Sequence, residues 1–252
     1  MTDKVDMAYW FPAVVKAGVP HPKTTIIALS ESERGSLLVG SMEGEGAPVT
    51  DADRSACVSI GQRLRDAAVE INPTGPWFLR NGHFSGKHDF DSCCFVKDQD
   101  RFLNHAMSII YVGECVSMIG FPIEHWVVRE YLNVAPIFTA FGSTPIVREF
   151  RLFAKDGAVH QWQPYWPAGS IQDPSVPDWE DRLAVASLFT ESDALAVHGY
   201  CRDVTHLLSG DSWSIDFLCD ADGKWFLTDM AIEAQSYKDD GVREWGDFDV
   251  NP

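Results

Sequence analysis

The stretch WSIDFLCDADGKWFLTDMA, from Trp213 to Ala231, constrains the fold more than any other part of the chain. Two apolar, aromatic-rich runs flank Asp222-Gly223. An Asp-Gly pair in that setting marks an antiparallel hairpin, because Gly supplies the positive φ that a tight turn needs. With those two residues as the loop, Ala221 pairs with Lys224, Leu218 lies opposite Leu227, and Asp216 lies opposite Asp229. Opposed side chains in an antiparallel pair sit about 4.5–5.5 Å apart at Cβ, where like charges repel. The leucine pair implies a half-buried face, which makes two bare carboxylates costlier still. Two resolutions stand open. A register slip of one residue would send one Asp to solvent. Alternatively, a divalent cation would sit between the two, and Mg²⁺ takes a few carboxylate oxygens together with phosphates.

The rest of the chain alternates helical and hairpin patterns. Residues 5–29 read as an apolar, aromatic stretch followed by a turn and a short buried strand, TTIIAL. Thr50-Asp51 caps a predicted helix to about Glu70, with Cys57, Ile60, Leu64 and Ala67 or Ala68 on one face. INPTGP breaks it. A strand at Trp77–Arg80, the loop NGHFSGKHD, a strand near Cys93–Val96 and a helix over Asp98–Met107 follow. WVVREYLNV reads as a strand ending in a turn. PIVREFRLFAKDGAVHQWQPYW reads as a second hairpin with Asp156-Gly157 at its tip, and Asp178–Leu208 as one long helical region. Antiparallel hairpins mixed with helices give an α+β class. The expected domains are a small α/β N-terminal lobe (1–76), a larger region (77–237) and a mobile acidic tail (238–252).

Composition narrows the function. The 252 residues carry a net charge of −17. That disfavours generic binding to nucleic acid or to anionic membrane, both of which reward basic patches. The six cysteines form no CxxC pair, and the polar start MTDKVDM lacks a signal-peptide pattern. Reduced thiols and a cytoplasmic location are therefore expected. No apolar run is long enough to span a membrane. The eight histidines are dispersed, and His83 and His88, flanking Lys87, are the ones with a potential auxiliary role.

Two cation-bearing segments stand out. In WFLRNGHFSGKHDF, a strand with Arg80 leads into a Gly/Ser loop with Lys87, a pairing suited to phosphate. It is not a P-loop: the glycines are one residue too close, and His88 stands where Ser or Thr should be. A mobile surface loop is the plainer alternative. In PIVREFRLF, strand alternation places Glu149 and Arg151 on one face and Arg148 on the other, among apolar residues. An arginine there needs an anion, from a carboxylate or from a ligand phosphate.

The serial order of these pieces, GVPHPKT, FLRNGHFSGKHDF, WVVREYL, REFRLFAKDGAVHQWQPYW and the closing acidic hairpin, resembles the ATP-grasp superfamily over roughly residues 17–235. Within it, the likeness is to compact arginine- and lysine-rich members, which include phage and bacterial ATP-grasp proteins and the eukaryotic cell-division-cycle assembly factors. The resemblance implies two lobes sandwiching a nucleotide, preceded by the small N-terminal lobe. It implies Mg-ATP as cofactor, with Arg80 on the α- or β-phosphate and Lys87 on the flexible loop over the nucleotide. Val128 to Tyr131 would be the adenine-reading linker, with Glu130 near the ribose. Glu149 and Arg151 would match the Asp-x-Arg pattern that faces phosphate or acyl phosphate. Asp216 and Asp229 would be Mg²⁺ ligands. The chain departs from the pattern at Ala231, where an Asn ligand is common, at Asp229, which is shorter than the usual Glu, and at Arg80, usually Lys. Glu233 is a candidate substitute for the missing ligand.

The implied activity is an ATP-dependent carboxylate–amine ligase acting on small-molecule or peptide substrates, with Lys87 and Arg151 as its working cations. The alternative is a nucleotide-binding assembly factor with a protein partner, docked through an exposed cluster of Trp162, Tyr165 and Trp166, for which ordinary packing between the lobes is the plainer reading. A structural protein without a nucleotide is the third reading.

Overall fold

The computed structural model describes residues 3–117 and 123–250. In chain order its elements are α1 (Met7–Lys16), β1 (Thr24–Ala28), α2 (Glu31–Ser41), α3 (Asp51–Ile71), β2 (Trp77–Asn81), β3 (Phe95–Val96), α4 (Phe102–Ser117), β4 (His125–Glu130), β5 (Phe138–Ala140), β6 (Thr144–Ile146), β7 (Glu149–Lys155), β8 (Ala158–Pro164), α5 (Trp179–Ala186), α6 (Glu191–Leu207), β9 (Ser212–Cys219), β10 (Trp225–Ile232) and β11 (Arg243–Glu244). The class is α+β with antiparallel strand pairing, as the sequence implies. The chain divides into two compact units, one of residues 1–22 with 132–252 and the other of residues 23–131. The INPTGP segment, expected to separate two lobes, instead joins α3 to β2 inside the second unit.

The second unit is a four-stranded sheet, ordered β1-β4-β2-β3, with α2, α3 and α4 on one face. Alternation sends Trp77 and Leu79 of β2, and Trp126 and Val128 of β4, into the core those helices close. α3 begins in a capping box between Thr50 and Asp53, and it buries Cys57, Ile60, Leu64, Ala67 and Ala68. That is the face its spacing predicts. Gly61 lets α3 lie against α4, since a Cβ there would come within 3.0 Å of Leu103 Cβ. β1 is an edge strand and is only half-buried, not the buried strand expected. An apolar sequence alone does not distinguish an edge from a centre.

The first unit is a five-stranded sheet, ordered β10-β9-β7-β8-β11, beside the small β5–β6 hairpin. α6 starts in a Thr190–Asp193 capping box and buries Ala194, Val197, Cys201, Val204 and Thr205, one stripe at helical spacing. That stripe meets β7, β8 and β9. The region expected as one long helix is split because Thr190 caps a fresh start after α5 ends at Ala186. The β7–β8 turn is the tight one the sequence implies: Asp156 and Gly157 both have positive φ, 48° and 91°. The Gly157 N–H donates to Thr205 Oγ1 at 2.9 Å, and a Cβ on Gly157 would strike His206 at 2.4 Å.

The sheet's apolar face carries an aromatic cluster in which Phe150 and Trp162 both pack 4.7 Å from Phe189. Arg148 reaches this face and finds its anion in Asp193, with Nη1 at 2.9 Å and Nη2 at 2.6 Å from the carboxylate. Residues 238–250 are not the mobile tail expected. β11 extends the sheet along β8, Trp245 and Phe248 pack on Phe189, and Asp249 bonds the Phe189 backbone on both sides.

Asp193 therefore serves a helix cap and a half-buried cation at once. Burial works to raise its carboxyl, but hydrogen bonds from Arg148 and Thr190 outweigh it and hold the pKa below the ordinary aspartate value. A depressed folded-state pKa adds stability above the unfolded value of about 3.9, and that stability is lost as pH falls through the folded value. Asp193→Asn is expected to lower the urea unfolding free energy at pH 7 by about 1–3 kcal/mol. The difference from the parent should shrink as pH falls below about 4 and vanish below the depressed folded-state value, where the parent carboxyl is protonated too.

Candidate functional site

The hairpin with the two acids reaches its register by a route the sequence does not reveal. The loop is Ala221-Asp222-Gly223, one residue longer than the expected pair. Asp220 N–H donates to Lys224 O at 2.9 Å, and Gly223 takes the left-handed conformation with φ 80°. Asp220 causes this: its Oδ1 accepts from the Asp222 and Lys224 amides at 3.0 and 2.8 Å, an Asx arrangement that widens the turn. The strands consequently start one step out, with Leu227 opposite Phe217 rather than Leu218. A β-bulge between Leu227 and Asp229 then inserts Thr228 and restores the step, so Asp229 does face Asp216.

Those two acids belong to a row that crosses four strands. Asp229 pairs with Asp216, Asp216 with Arg151, and Arg151 with Gln163, one residue each from β10, β9, β7 and β8. The repulsion the sequence poses is answered within the row. Arg151 Nε and Nη2 donate to the two oxygens of Asp216 at 2.8 and 2.9 Å, a parallel fork that suits guanidinium and carboxylate. Both partners are largely buried, with side-chain exposures of 17% for Arg151 and 5% for Asp216. Burial works against the Arg151 charge, but Asp216 more than offsets it, and Tyr165 and Asp229 add to the effect, so the guanidinium titrates above its ordinary value. The Tyr165 ring lies 5.1 Å from the guanidinium, a cation–π contact.

Glu149 sits on the same face and is buried. The bulged Thr228 links it to the row, its hydroxyl lying 3.4 Å from Glu149 Oε1 and 3.3 Å from Asp216 O. Residues 236–239 run alongside. Tyr237 O accepts from Arg151 Nη1 at 3.3 Å and from Gln163 Nε2 at 3.4 Å, and the Asp239 amide donates to Gln163 Oε1 at 3.3 Å. Gln163 and Thr228 escape sequence reasoning because only the strand register and the bulge bring them to the row.

Glu149, Asp216 and Asp229 bring three carboxylates to this face, and Arg151 is the arginine of the row. A carboxylate offers about four lone-pair positions, and Arg151 uses two of those on Asp216. The pair Asp216 and Asp229 thus suits a cation that takes few protein oxygens and completes its shell with water and phosphate, as Mg²⁺ does. Glu233 is not part of this arrangement. Its carboxylate is held by Lys238 Nζ at 2.6 Å and His160 Nε2 at 3.1 Å, and these bonds overcome burial to lower its pKa.

In the second unit, Arg80 and Arg129 lie diagonally on one face of the sheet, Arg80 opposite Val127 and Arg129 two residues further on. This is the face turned away from the helices, and both side chains are 3% exposed. Arg129 is a cation that its position in VVREYL raises as a question without answering it. Arg80 Nε donates to Asn81 O at 3.0 Å. The Lys87 loop is organised rather than loose. Asn81 Oδ1 accepts from the His83 and Phe84 amides, both at 2.8 Å, and Gly86 with φ 66° starts a 3₁₀ turn at Lys87–Asp89. Lys87 itself is half-buried.

Of the residues expected to read adenine, Val128 lies within β4, while Glu130 and Tyr131 close the second unit, which ends at Tyr131. Val128 is in register with both Thr25 and Leu79 in a central strand, its side chain buried in the core, so its backbone groups belong to the sheet. Glu130 accepts from the Lys23 amide at 2.7 Å, closing the β1–β4 edge. Tyr131 packs 4.6 Å from Phe95 in an aromatic cluster, and burial raises its phenol pKa. The proposed partner surface is not exposed either: Trp162 and Trp166 are buried. Cys57, Cys93, Cys94, Cys201 and Cys219 are free thiols, and burial pushes Cys94 up to about 12, which leaves it unreactive. No helix among the described residues is long and apolar enough to cross a membrane.

No family model and no curated protein matches the chain. Solved structures similar to it are ATP-grasp enzymes. A RimK-domain ATP-grasp protein from Sphaerobacter thermophilus is 12% identical with a TM-score of 0.44, over 90% of this chain and 59% of that one. The ADP complex of N5-carboxyaminoimidazole ribonucleotide synthetase is 11% identical with a TM-score of 0.47, over 90% of this chain and 44% of that one. D-cycloserine synthetase is 16% identical with a TM-score of 0.41, over 91% of this chain and 62% of that one. The chain thus spans about half the length of the proteins it is similar to.

Replacing Arg151 by Met strands Asp216 in a buried site opposite Asp229, and should cost about 3–5 kcal/mol of unfolding free energy. The double variant Arg151→Met/Asp216→Leu should regain much of that loss. Urea denaturation of the two variants measures the coupling.

Proposed function

We propose that the chain is an ATP-dependent carboxylate–amine ligase. The observation that carries this reading is the row of Asp229, Asp216 and Arg151, where a facing acid pair adjoins an arginine held charged on one sheet face. Arg80 and Lys87, with Arg129 beside Arg80, supply further positive charge of the kind a triphosphate requires. In this reading a substrate carboxylate oxygen attacks the γ-phosphorus of ATP, the bond to the β-phosphate oxygen breaks, and ADP leaves. The resulting acyl phosphate is attacked at carbon by an amine nitrogen. Phosphate departs, the nitrogen loses a proton, and an amide remains. Arg151 would orient the acyl phosphate and balance charge on the phosphoryl oxygens, while Arg80 and Lys87 would meet the nucleotide's phosphates. Asp216 and Asp229 are the residues that would hold Mg²⁺, which when bound neutralises phosphate charge.

Two features favour a second reading, an ATP-binding assembly factor without turnover. Ala231 cannot ligate a metal, and Arg151 donates to Asp216 and Tyr237 at every nitrogen. ADP release on a panel of acids and amines separates the two readings: release that depends on both an acid and an amine supports the ligase, and binding of Mg-ATP without release supports the assembly factor.

Asp229 is the cleaner acid to remove, because Asp216→Asn would also cost Arg151 its charged partner. Asp229→Asn should lower Mg-ATP turnover by about 100-fold or more with an unchanged circular dichroism spectrum. Arg80→Met should weaken Mg-ATP binding in calorimetry by about tenfold or more, the factor set by a charge-assisted hydrogen bond of about 1.5 kcal/mol. Parental turnover in Asp229→Asn would remove the acid pair from the reading.

A further inference from the structure

Arg151 has one bidentate edge left after Asp216, and a piece of the chain lies across it. The Nε–Nη2 edge is given to Asp216 at 2.8 and 2.9 Å. A guanidinium has a second such edge, through its two Nη atoms, and a further oxyanion bound in a fork must use it. Nη1 of that edge donates to Tyr237 O at 3.3 Å. Tyr237 belongs to the segment 236–239, which follows the 3₁₀ turn Glu233–Gln235 and runs over the polar face of the first unit's sheet.

This segment is held firmly by two side chains and loosely by its backbone. Ser236 Oγ shares a hydrogen bond with Ser214 Oγ of β9 and lies 3.2 Å from Ile232 O. Lys238 Nζ donates to Glu233 at 2.6 Å and to Gln161 at 2.8 Å, and it sits 4.2 Å from the centre of the Phe153 ring. The backbone contacts are all long. Tyr237 O accepts from Arg151 at 3.3 Å and from Gln163 Nε2 at 3.4 Å, and the Asp239 amide donates to Gln163 Oε1 at 3.3 Å. Ordinary N–H···O bonds end at about 3.2 Å. The Tyr237 ring adds no anchor, because the residue is 60% exposed. Of the two partners of Arg151, Asp216 is charged, bidentate and buried, whereas the Tyr237 carbonyl is neutral, single and distant. An arriving oxyanion therefore displaces the carbonyl and not the carboxylate.

We propose that residues 236–239 form a strap that covers the anion edge of Arg151 and is lifted by the oxyanion that replaces it. The Ser236 and Lys238 anchors stay in place, while the Tyr237 carbonyl leaves Arg151 and Gln163 and the Asp239 amide leaves Gln163. Taken with the ligase reading, on which this assignment of role rests, the oxyanion is the phosphoryl group. Arg151 is then capped at rest and uncapped by its substrate, so its full set of contacts describes the closed state and does not count against turnover.

Sodium phosphate is the probe, with magnesium chloride present and nucleotide absent, and sodium chloride at equal ionic strength is the control. In a ¹H–¹⁵N titration, phosphate should shift the Asp239 amide and the Gln163 side-chain amide, and chloride should move neither. The Gln163 signal is assigned by its loss in Gln163→Leu. That variant removes two of the strap's long bonds, and Ser236→Ala loosens one anchor, neither with a change of charge. Both should bind phosphate about two- to tenfold more tightly than the parent, because a less stable closed form raises the share of open protein. A purely structural role for either residue predicts equal or weaker binding. Should the buried Gln163→Leu variant fail to fold, the half-buried Ser236→Ala decides. Equal or weaker phosphate binding in the folded variants, no binding to any of the proteins, or an Asp239 amide that phosphate leaves unmoved would overturn the proposal. A strap that lifts for phosphate in a protein that releases no ADP keeps the gate and loses the ligase reading. ADP release with an unmoved Asp239 amide does the reverse.

Discussion

The fork between Arg151 and Asp216 is the interaction on which the first unit's polar face depends. Two acids opposed in a half-buried hairpin would drive β9 and β10 apart were no cation within reach. The guanidinium takes both oxygens of Asp216, and the desolvated setting that makes the charges expensive also makes their mutual attraction strong. Asp216 is central: Arg151 meets it from β7 and Asp229 from β10. The strand order β10-β9-β7-β8 is what turns four residues far apart in sequence into one line.

Much of the fold is legible because local rules agree. The Thr50–Asp53 cap, the buried stripe from Cys57 to Ala68 and the Asp156-Gly157 turn all appear where side-chain spacing puts them. The errors come from competition that spacing cannot register. Asp222-Gly223 has the same signature as Asp156-Gly157, yet Asp220 captures two amides and lengthens the loop. Residues 238–250 look like solvated chain by charge, but Trp245, Phe248 and Asp249 dock on Phe189 and outweigh it.

The candidate site is legible in part, for a related reason. Strand alternation states that Arg148 and Arg151 take opposite faces and that each needs an anion. It does not name Asp193 for one and Asp216 for the other, because those contacts span 45 and 65 residues. Val128 reads as a linker only while the neighbours of β4 are unknown. With β1 on one side and β2 on the other, its backbone is committed to the ladder. Arg129 is the converse, a cation whose proximity to Arg80 emerges only from the pairing of β2 with β4.

The extra residue in the 220–224 loop and the extra residue at Thr228 are two equal offsets of opposite effect. Excising Thr228 would join Leu227 directly to Asp229 and leave both pairings, Leu227 with Phe217 and Asp229 with Asp216, as they are. Shortening the loop between Asp220 and Lys224 by one residue would likewise leave the ladder beyond them in step. The inserted Thr228 therefore serves something other than the facing of the acids: it lends a hydroxyl that spans Glu149 Oε1 and the Asp216 carbonyl, stitching a third carboxylate to the row.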